Sequence, residues 1–338
     1  MIMKKLFFSL VALMMATMSF AQGSLLATLS HDGEISAFYG ATALRAAYDA
    51  SADGDIITLS SGSFEAVNID KELTIRGAGM GLDSKTMAEP TIIRGDFKIG
   101  NSKSLSKLSI EGVYHNNIIT IKALQNATFI KCRFNNISRS YSNSTMRNLT
   151  FVHCRVVQLL RISSDASVSC VNSIIMYPDN IDIENGTSNF EFINCVVYRG
   201  PWAAQDLYRA SFKNSILIET TAVALPESNT YFNTLGVYTD GDADIFSSAI
   251  TTTNKQVMGF ENVFKTYNGS YSDKENFELT DDAKTQYLGD DNTEVGIYGG
   301  NLPYDGTPTN PQITKCNVAA KTTADGKLSV DIEVNSAQ

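Results

Sequence analysis

Four positive or titratable side chains in the middle of the chain have the types and the spacing to bind an anion. Lys131 and His153 occupy equivalent positions in two aligned segments, and Arg133 and Arg155 occupy a second equivalent pair. If these segments are neighbouring strands of a stack, the strand spacing brings all four groups together on one face. We call them the basic strip. They predict a site for an anionic sugar such as a uronate, whose carboxylate an arginine binds through two parallel hydrogen bonds.

Two other interpretations of the basic strip stay open. A lysine or an arginine in it could act as the base of a β-elimination, as a polysaccharide lyase requires. Alternatively, the four groups are solvated, outward-facing residues whose spacing only reflects the repeat.

Trp202 is the single tryptophan of the chain, and it lies in the segment 199–206 between Tyr198 and Tyr208. An aromatic side chain on a loop beside a regular scaffold could stack on a sugar ring. The alternative is a hydrophobic lid that covers only its own loop.

Asp240, Asp242 and Asp244 alternate with other residues, as the first ligands of a calcium loop do. Ile245 and Thr251 stand where an EF-hand loop would have a glycine and a glutamate, so that type of loop is excluded. The triplet predicts either a looser Ca²⁺ site or an acidic turn, and no other cofactor is expected.

The basic strip belongs to an internal repeat with a period of about 20 residues. Five segments align without gaps, 126–134, 148–156, 167–175, 189–197 and 209–217, and a weaker copy covers 107–113. Their anchor positions recur at nearly constant spacing: Ile110, Phe129, Phe151, Cys170, Phe192 and Phe212. The stretches between the segments contain more short strand-like runs and no helix-forming half, which predicts a parallel β-helix rather than a leucine-rich repeat.

Stacked coils place equivalent side chains in rows. The anchor row predicts an internal stack of phenylalanines in which Cys170 fills one slot: Phe129, Phe151, Phe192 and Phe212. Three of the five cysteines form a second inward row with two serines: Cys132, Cys154 and Cys195. Their spacing therefore follows the repeat and not a disulfide framework, and a Cys132–Cys154 bridge, though open, would rarely meet disulfide geometry.

Three asparagines directly precede the second row, at a bend between strands: Asn172, Asn194 and Asn214. Asparagine tolerates the left-handed backbone conformation that such a bend needs. Stacked amides can also hydrogen-bond from coil to coil.

Both ends of the repeat have their own signals. Residues 38–52 place Ala41, Leu44, Ala47 and Tyr48 at helical spacing, which predicts a short N-terminal capping helix. Two runs of alternating hydrophobicity, 313–319 and 327–334, predict a C-terminal β-hairpin.

The N-terminal segment, 1–21, predicts export. Lys4 and Lys5 precede the apolar run Leu6–Met18, and Ser19-Phe20-Ala21 supplies a cleavage site. We expect cleavage near Ala21–Gln22 and a mature protein that is secreted, periplasmic or on the cell surface. No later stretch is apolar enough to span a membrane.

The charge is divided unevenly along the chain. Residues 101–225 contain 12 Lys/Arg against 8 Asp/Glu, whereas 226–305 contain 4 against 14, within a formal net charge of −9. We therefore divide the chain into a signal peptide (1–21), an N-terminal cap with regular coils (22–225), an irregular acidic end (226–305) and a hairpin tail (306–338). The acidic balance argues against a nucleic-acid partner.

Two motifs resemble those of the pectin-lyase-like right-handed parallel β-helix superfamily. The opening motif is the run 50–64, which contains the Gly54-Asp55 pair and Phe64 and has one extra residue before Gly54. The strand motif Leu73-Thr-Ile-Arg-Gly77 follows it. The run 291–300 followed by Pro303 is similar to the closing motif of secreted bacterial members. With the repeats, the resemblance covers roughly residues 38–305 and implies an all-β, right-handed parallel β-helix.

The resemblance leaves the activity open, because the superfamily contains lyases, hydrolases, esterases and non-catalytic solenoids. This chain lacks the Asn-Thr-Asp, Gly-His-Gly and Arg-Ile-Lys motifs of polygalacturonase-like hydrolases. It also lacks an aligned carboxylate cluster like that of pectate lyases in residues 101–225. We expect a non-catalytic protein that binds a polysaccharide, a cell-surface glycan or a partner protein, in an oligomeric state left open. The alternative is a divergent polysaccharide lyase acting on a uronic-acid polymer.

Overall fold

The computed structural model describes residues 25–81, 89–140, 143–159, 165–178, 187–199, 209–222, 228–246, 253–270, 272, 275–309, 312–318, 321 and 325–335. The predicted signal peptide, 1–21, lies outside the described residues. Within the described ranges, every helix is too short or too polar to cross a lipid bilayer.

The first of two long sheets, sheet A, contains the strands that carry the anchor row. Its strands are β1 Leu26–His31, β2 Glu34–Tyr39, β3 Ile56–Leu59, β5 Thr74–Arg76, β8 Leu108–Glu111, β10 Ala123–Ile130, β12 Thr145–Val152, β14 Ser167–Val171, β16 Asn189–Ile193, β18 Ala210–Lys213 and β20 Thr230–Phe232. They are hydrogen-bonded in the order β2-β1-β3-β5-β8-β10-β12-β14-β16-β18-β20.

Sheet B receives the chain after each bend. Its strands are β4 Gly62–Glu65, β6 Thr91–Arg94, β7 Phe97–Ile99, β9 Val113–Ile121, β11 Arg133–Arg139, β13 Arg155–Leu159, β15 Ile174–Met176, β17 Val196–Tyr198, β19 Ile216–Ile218, β21 Leu235–Tyr238 and β22 Lys255–Met258. The order is β22-β21-β19-β17-β15-β13-β11-β9-β6-β4, and β7 pairs with β9.

The alternation of strands between two parallel sheets confirms the predicted parallel β-helix, which has about eight turns. Strand β10, for example, pairs in parallel with β8 on one side and β12 on the other. Each strand is short and alternates inward and outward residues, because its inner face packs on the core of the solenoid while the other face points outward.

Aromatic side chains stack along the interior of sheet A. The rings of Phe129 and Phe151 are 4.8 Å apart and nearly parallel, and those of Phe192 and Phe212 are 4.9 Å apart. Cys170 is the register partner of both Phe151 and Phe192, so it occupies the slot between the two pairs. The row therefore follows the strand spacing.

The second inward row ties each coil to the one before it. Cys154 Sγ donates to the carbonyl of Phe129, and Ser173 Oγ donates to that of Phe151. Cys132, Cys154, Cys170 and Cys195 are all buried, free thiols, whereas the side chain of Cys316 lies outside the described residues. Burial raises the pKa of Cys195 to about 12.

The bends between the two sheets have a left-handed backbone. Five of the residues at these bends, which we call the bend row, have φ between 42° and 52°: Lys131, His153, Asn172, Asn194 and Asn214. At Asn172 and Asn214 the side-chain amide donates to another segment and not from coil to coil. Asn172 Nδ2 donates to the carbonyls of Ile297 and Gly299, and Asn214 Nδ2 donates to Asp290. A distant segment takes these donors because it lies directly over the bends.

The N-terminal end differs from the regular coils. Strand β1 pairs antiparallel with both β2 and β3, so the sheet ends in a hairpin. Helix α1, Ala43–Ala50, buries Ala43, Leu44, Ala47 and Tyr48. Three of these are predicted positions, but the fourth predicted position, Ala41, precedes the helix and is exposed.

After β22 the chain turns back over the outside of the solenoid, and we call the described residues of 259–286 the returning segment. It forms a 3₁₀-helix at Phe260–Asn262 and helix α2 at Asp281–Gln286, which begins where Thr280 accepts a hydrogen bond from the Ala283 amide. A second apolar cluster joins this segment to the outer face of sheet B. The chain ends in an antiparallel pair, β23 Gln312–Val318 and β24 Val330–Asn335.

Candidate functional site

Residues 287–309, which we call the strap, cover the bend row and remove two members of the basic strip from solvent. Lys131 Nζ donates to Asp305 Oδ2 at 3.0 Å and to the Thr307 carbonyl at 2.8 Å. His153 Nε2 lies 2.9 Å from the Leu302 carbonyl. Lys131 is 7% exposed and His153 is 8% exposed. In this structure both side chains hold the strap.

The ionisation of the groups at the strap follows from this burial. Burial, opposed by the Leu302 carbonyl, lowers the pKa of His153, so the ring is neutral at neutral pH. Burial also acts to raise the pKa of Asp305, but hydrogen bonds from Thr307 and Lys131 outweigh it and bring that pKa to about 2. The contact is therefore a lysine–aspartate ion pair with a neutral histidine beside it.

Arg155 is also buried, and it binds backbone rather than presenting its charge. Its guanidinium donates to the carbonyls of Ser272 and Glu275 in the returning segment. Only 3% of Arg155 is exposed. The equivalent Arg133 in the preceding coil is half-buried. The structure thus separates the basic strip into three buried groups and one half-buried arginine.

The outward-facing row of sheet B changes character at this point. Register pairing places one outward residue from each successive coil in line: Ile92, Tyr114, Arg133, Arg155, Ile174, Val196, Ile216 and Leu235. The last four are buried in the apolar cluster beneath the returning segment. The returning segment therefore covers the four apolar residues of this row and reaches as far as Arg155.

An open groove of about 460 Å³ lies on the outer face of sheet B. It is formed by strands β9, β11 and β13. Its lining consists of one tyrosine, one arginine, five amide side chains and two aliphatic ones: Tyr114, Arg133, Asn116, Asn117, Asn135, Asn136, Gln158, Ile118 and Val157. Within the described part of the chain, no carboxylate lines this groove.

A β-bulge in β9 shapes the groove. From His115 to Ile118 strand β9 takes three steps, while β11 takes two from Phe134 to Asn136. The extra residue pushes the segment 116–118 outward, and all three of its residues are exposed. Asn135 Nδ2 donates to the Asn116 carbonyl at 2.8 Å and fixes this wall. Bulges of this kind re-aim side chains at strand surfaces.

Arg133 lines the groove. Its guanidinium carbon is 4.3 Å from the centre of the Tyr114 ring, which is a cation–π contact. Asn136 Nδ2 donates to Gln158 Oε1 at 3.0 Å beside it. The arrangement offers a charged, planar donor, an aromatic surface and several amides that both donate and accept hydrogen bonds.

Two other sites were predicted from the sequence. Trp202 lies outside the described residues. Asp240 and Asp244 are exposed, and each accepts a hydrogen bond from a nearby backbone amide in its own turn. Among the described residues no group of three or more His, Cys, Asp or Glu side chains is placed to hold a metal ion, and a looser Ca²⁺ site at Asp240, Asp242 and Asp244 stays a prediction.

The structure also contains a buried ion pair that the sequence analysis missed. Arg199 Nη1 is 3.1 Å from Glu219 Oε1, and both residues are buried. Burial raises the pKa of Glu219 to about 7, against the opposing effect of Arg199. The signal was available, since both residues directly follow sheet B strands that the repeat alignment makes neighbours.

No protein-family model and no curated protein matches this sequence. Among solved structures, the chain is similar to one described as the crystal structure of pectate lyase Pel9A, with a TM-score of 0.42 and 12% sequence identity. The alignment covers 79% of this chain and 89% of the other. A likeness at this level carries no activity from one chain to the other.

Proposed function

We propose that this protein is a non-catalytic, glycan-binding β-helix and that its binding site is the groove on β9, β11 and β13. The observation that carries the proposal is the Arg133 guanidinium, held against the Tyr114 ring in an open groove lined otherwise by amides and two aliphatic side chains. A binding site of this type combines an apolar surface with a few placed polar groups.

The lining favours an acidic sugar, of the uronate type. Side-chain amides match sugar hydroxyls because each amide has donors and an acceptor. The guanidinium of Arg133 matches a carboxylate, and no carboxylate in the described lining opposes an anion. A local positive group on a chain of net charge −9 is also the place where an anionic ligand is attracted.

The test is binding of oligogalacturonate and alginate oligomers to the wild type and to two Arg133 variants. Arg133→Ala should weaken binding about tenfold or more, because a charge-assisted hydrogen bond contributes roughly 1.5–3 kcal/mol. Arg133→Lys should recover only part of the loss, since lysine keeps the charge but not the planar fork. Arg94→Ala is the control, because Arg94 is exposed on the same sheet outside the groove. Equal affinity of wild type and Arg133→Ala would refute the site.

A lyase acting on the same polymers is the second candidate, since Arg133 in the groove could remove a proton from a bound uronate. The same incubations decide it, because β-elimination produces an unsaturated sugar that absorbs in the ultraviolet. Absorbance that rises with wild type and not with Arg133→Ala would replace binding by catalysis.

We also infer that the protein acts outside the cytoplasm. The support is the charged, apolar and small-residue order of residues 1–21. Sequencing the N-terminus of the exported protein tests this, and a mature chain that still begins at Met1 would refute it.

A further inference from the structure

A buried histidine lies directly beneath the bulged wall of the groove. His115 is the residue just before the bulge, and its side chain points into the solenoid while Tyr114 and Asn116 line the groove outside. The ring is fully buried and lies 5.4 Å from that of Phe97. The groove wall and the histidine are therefore parts of the same short stretch of backbone.

The two ring nitrogens of His115 are in different situations. Nδ1 is 2.8 Å from the Ile93 carbonyl, so it must carry the hydrogen of the neutral ring, because a carbonyl can only accept. Nε2 is buried and completes no hydrogen bond. The Ile118 backbone, at the far side of the bulge, lies close enough to favour the protonated ring, although the present geometry leaves Nε2 without a formed hydrogen bond.

A second proton on this ring would change the contacts beneath the groove. It would add an Nε2–H donor whose hydrogen bond is not formed in the present arrangement, and it would place a charge inside the core. The charged side chains on the strands paired with β9 and on the turn between β6 and β7 are Arg94, Asp96, Lys98, Arg133 and Arg139. Of these, Asp96 is the one that favours the charged ring. Either the Ile118 carbonyl must move inward to accept the new hydrogen, or the ring must leave the core.

We propose that His115 is a positioning residue of the groove: its neutral ring keeps the bulge at 116–118 in the open, ligand-binding form, and its protonation in acid removes that form. The inference deepens the proposed glycan site and rests on it for its functional consequence. Burial lowers the pKa of His115, which is consistent with a neutral ring at neutral pH and protonation only in acid.

The first test needs no ligand. Hydrogen exchange of the peptide 113–121 is compared at about pH 7.5 and about pH 5, values on either side of the usual histidine pKa, after correction for the intrinsic rate. We expect increased exchange at 116–118 in acid while strand β12 in the same protein stays protected. His115→Gln should abolish the increase, because its amide can donate to Ile93 and cannot be protonated. Unchanged wild-type exchange at 116–118 would overturn the inference, and so would an acid increase that persists in His115→Gln.

The second test measures affinity for oligogalacturonate over the same pH range, in which the sugar carboxylates stay ionised. The wild type should lose affinity about tenfold or more in acid, and His115→Gln should lose much less. His153→Gln is the matched control, because His153 is also a buried neutral histidine but lies under the strap; it should keep the acid loss. Equal acid losses in wild type and His115→Gln would overturn the inference. If oligogalacturonate does not bind at any pH, the proposed uronate site fails, and hydrogen exchange still decides the role of His115.

Discussion

At the scale of single residues, the same side chain at equivalent repeat positions has different tasks in neighbouring coils. Arg133 faces an open groove, and Arg155, one coil further, binds two backbone carbonyls of the returning segment. Lys131 and Asn172 share the left-handed bend, but one forms an ion pair and the other two amide hydrogen bonds to carbonyls. Position in the coil determines the backbone conformation, and the neighbouring segment determines the chemistry.

A substitution at Phe151 tests how much the stacked aromatic row stabilises the fold. Phe151→Ala should lower the free energy of unfolding by about 3–5 kcal/mol, because it removes a fully buried ring that stacks on Phe129 and leaves a cavity. Denaturant unfolding measures the change. Phe232→Ala is the control, since Phe232 is 40% exposed on the outer face of the same sheet and should cost far less. A Phe151 variant within about 1 kcal/mol of the wild type would contradict the stacked row.

At the scale of elements, the strap and the bend row stabilise each other. The bend residues donate outward and the strap runs back along them, from Asp290 over Asn214 to Asp305 over Lys131. Backbone carbonyls of an irregular segment need partners when they are buried. The bends supply those partners at the spacing of the coils, so an irregular segment can lie flat on a regular solenoid.

Asn172→Gly should loosen the strap without straining the bend. Glycine accepts the left-handed conformation of this position, where φ is 42°, so the variant removes only the two hydrogen bonds to Ile297 and Gly299. We expect a loss of about 1–3 kcal/mol and faster proteolysis or hydrogen exchange within 287–309. Asn126→Gly is the matched control, because Asn126 has φ of 49° but donates to Ser106 on the exposed surface. Equal strap exchange in both variants would show that Asn172 does not hold the strap.

At the scale of the whole molecule, buried titratable groups make stability depend on pH in two opposite directions. Burial lowers the pKa values of His115 and His153, so the unfolded chain binds more protons there, and stability is lost as the pH falls below about 6.5. Burial raises the pKa of Glu219 to about 7. Its contribution is fully present below the usual glutamate pKa and is lost as the pH rises through about 7.

Glu219→Gln isolates the second effect, because the histidine contributions cancel when variant and wild type are compared at one pH. At about pH 5 the two proteins should be similarly stable, since Glu219 is then largely neutral and glutamine has nearly the same shape. At about pH 8 the glutamine variant should be the more stable one. Denaturant midpoints at several pH values measure the difference. A variant that is less stable at about pH 8 would mean that Arg199 stabilises the charged carboxylate more than burial penalises it.

The sequence alone determined the solenoid and its interior. A repeat of about 20 residues, with aromatic, small and Asn positions recurring together, predicts a stack of coils in which equivalent residues lie at the strand spacing. Phe129, Phe151, Phe192 and Phe212 follow from this local regularity, and so does the left-handed backbone at Asn172. The repeat alignment by itself also places the strands that carry Arg133 and Arg155 beside each other, as they are in the folded chain.

Only the tertiary structure decided which outward-facing residues stay accessible. Lys131 is paired with Asp305, 174 residues away, and the strap that brings Asp305 there has no repeat from which its path could be predicted. The groove depends on a single extra residue in β9 opposite Asn135, which shifts the register of one strand pair and leaves the period of the repeat almost unchanged. Repeats encode contacts between neighbouring coils. Contacts between a coil and a distant irregular segment depend on the folded path of the whole chain, and it is those contacts that cover Lys131, His153 and Arg155, whereas Arg133 lines the groove.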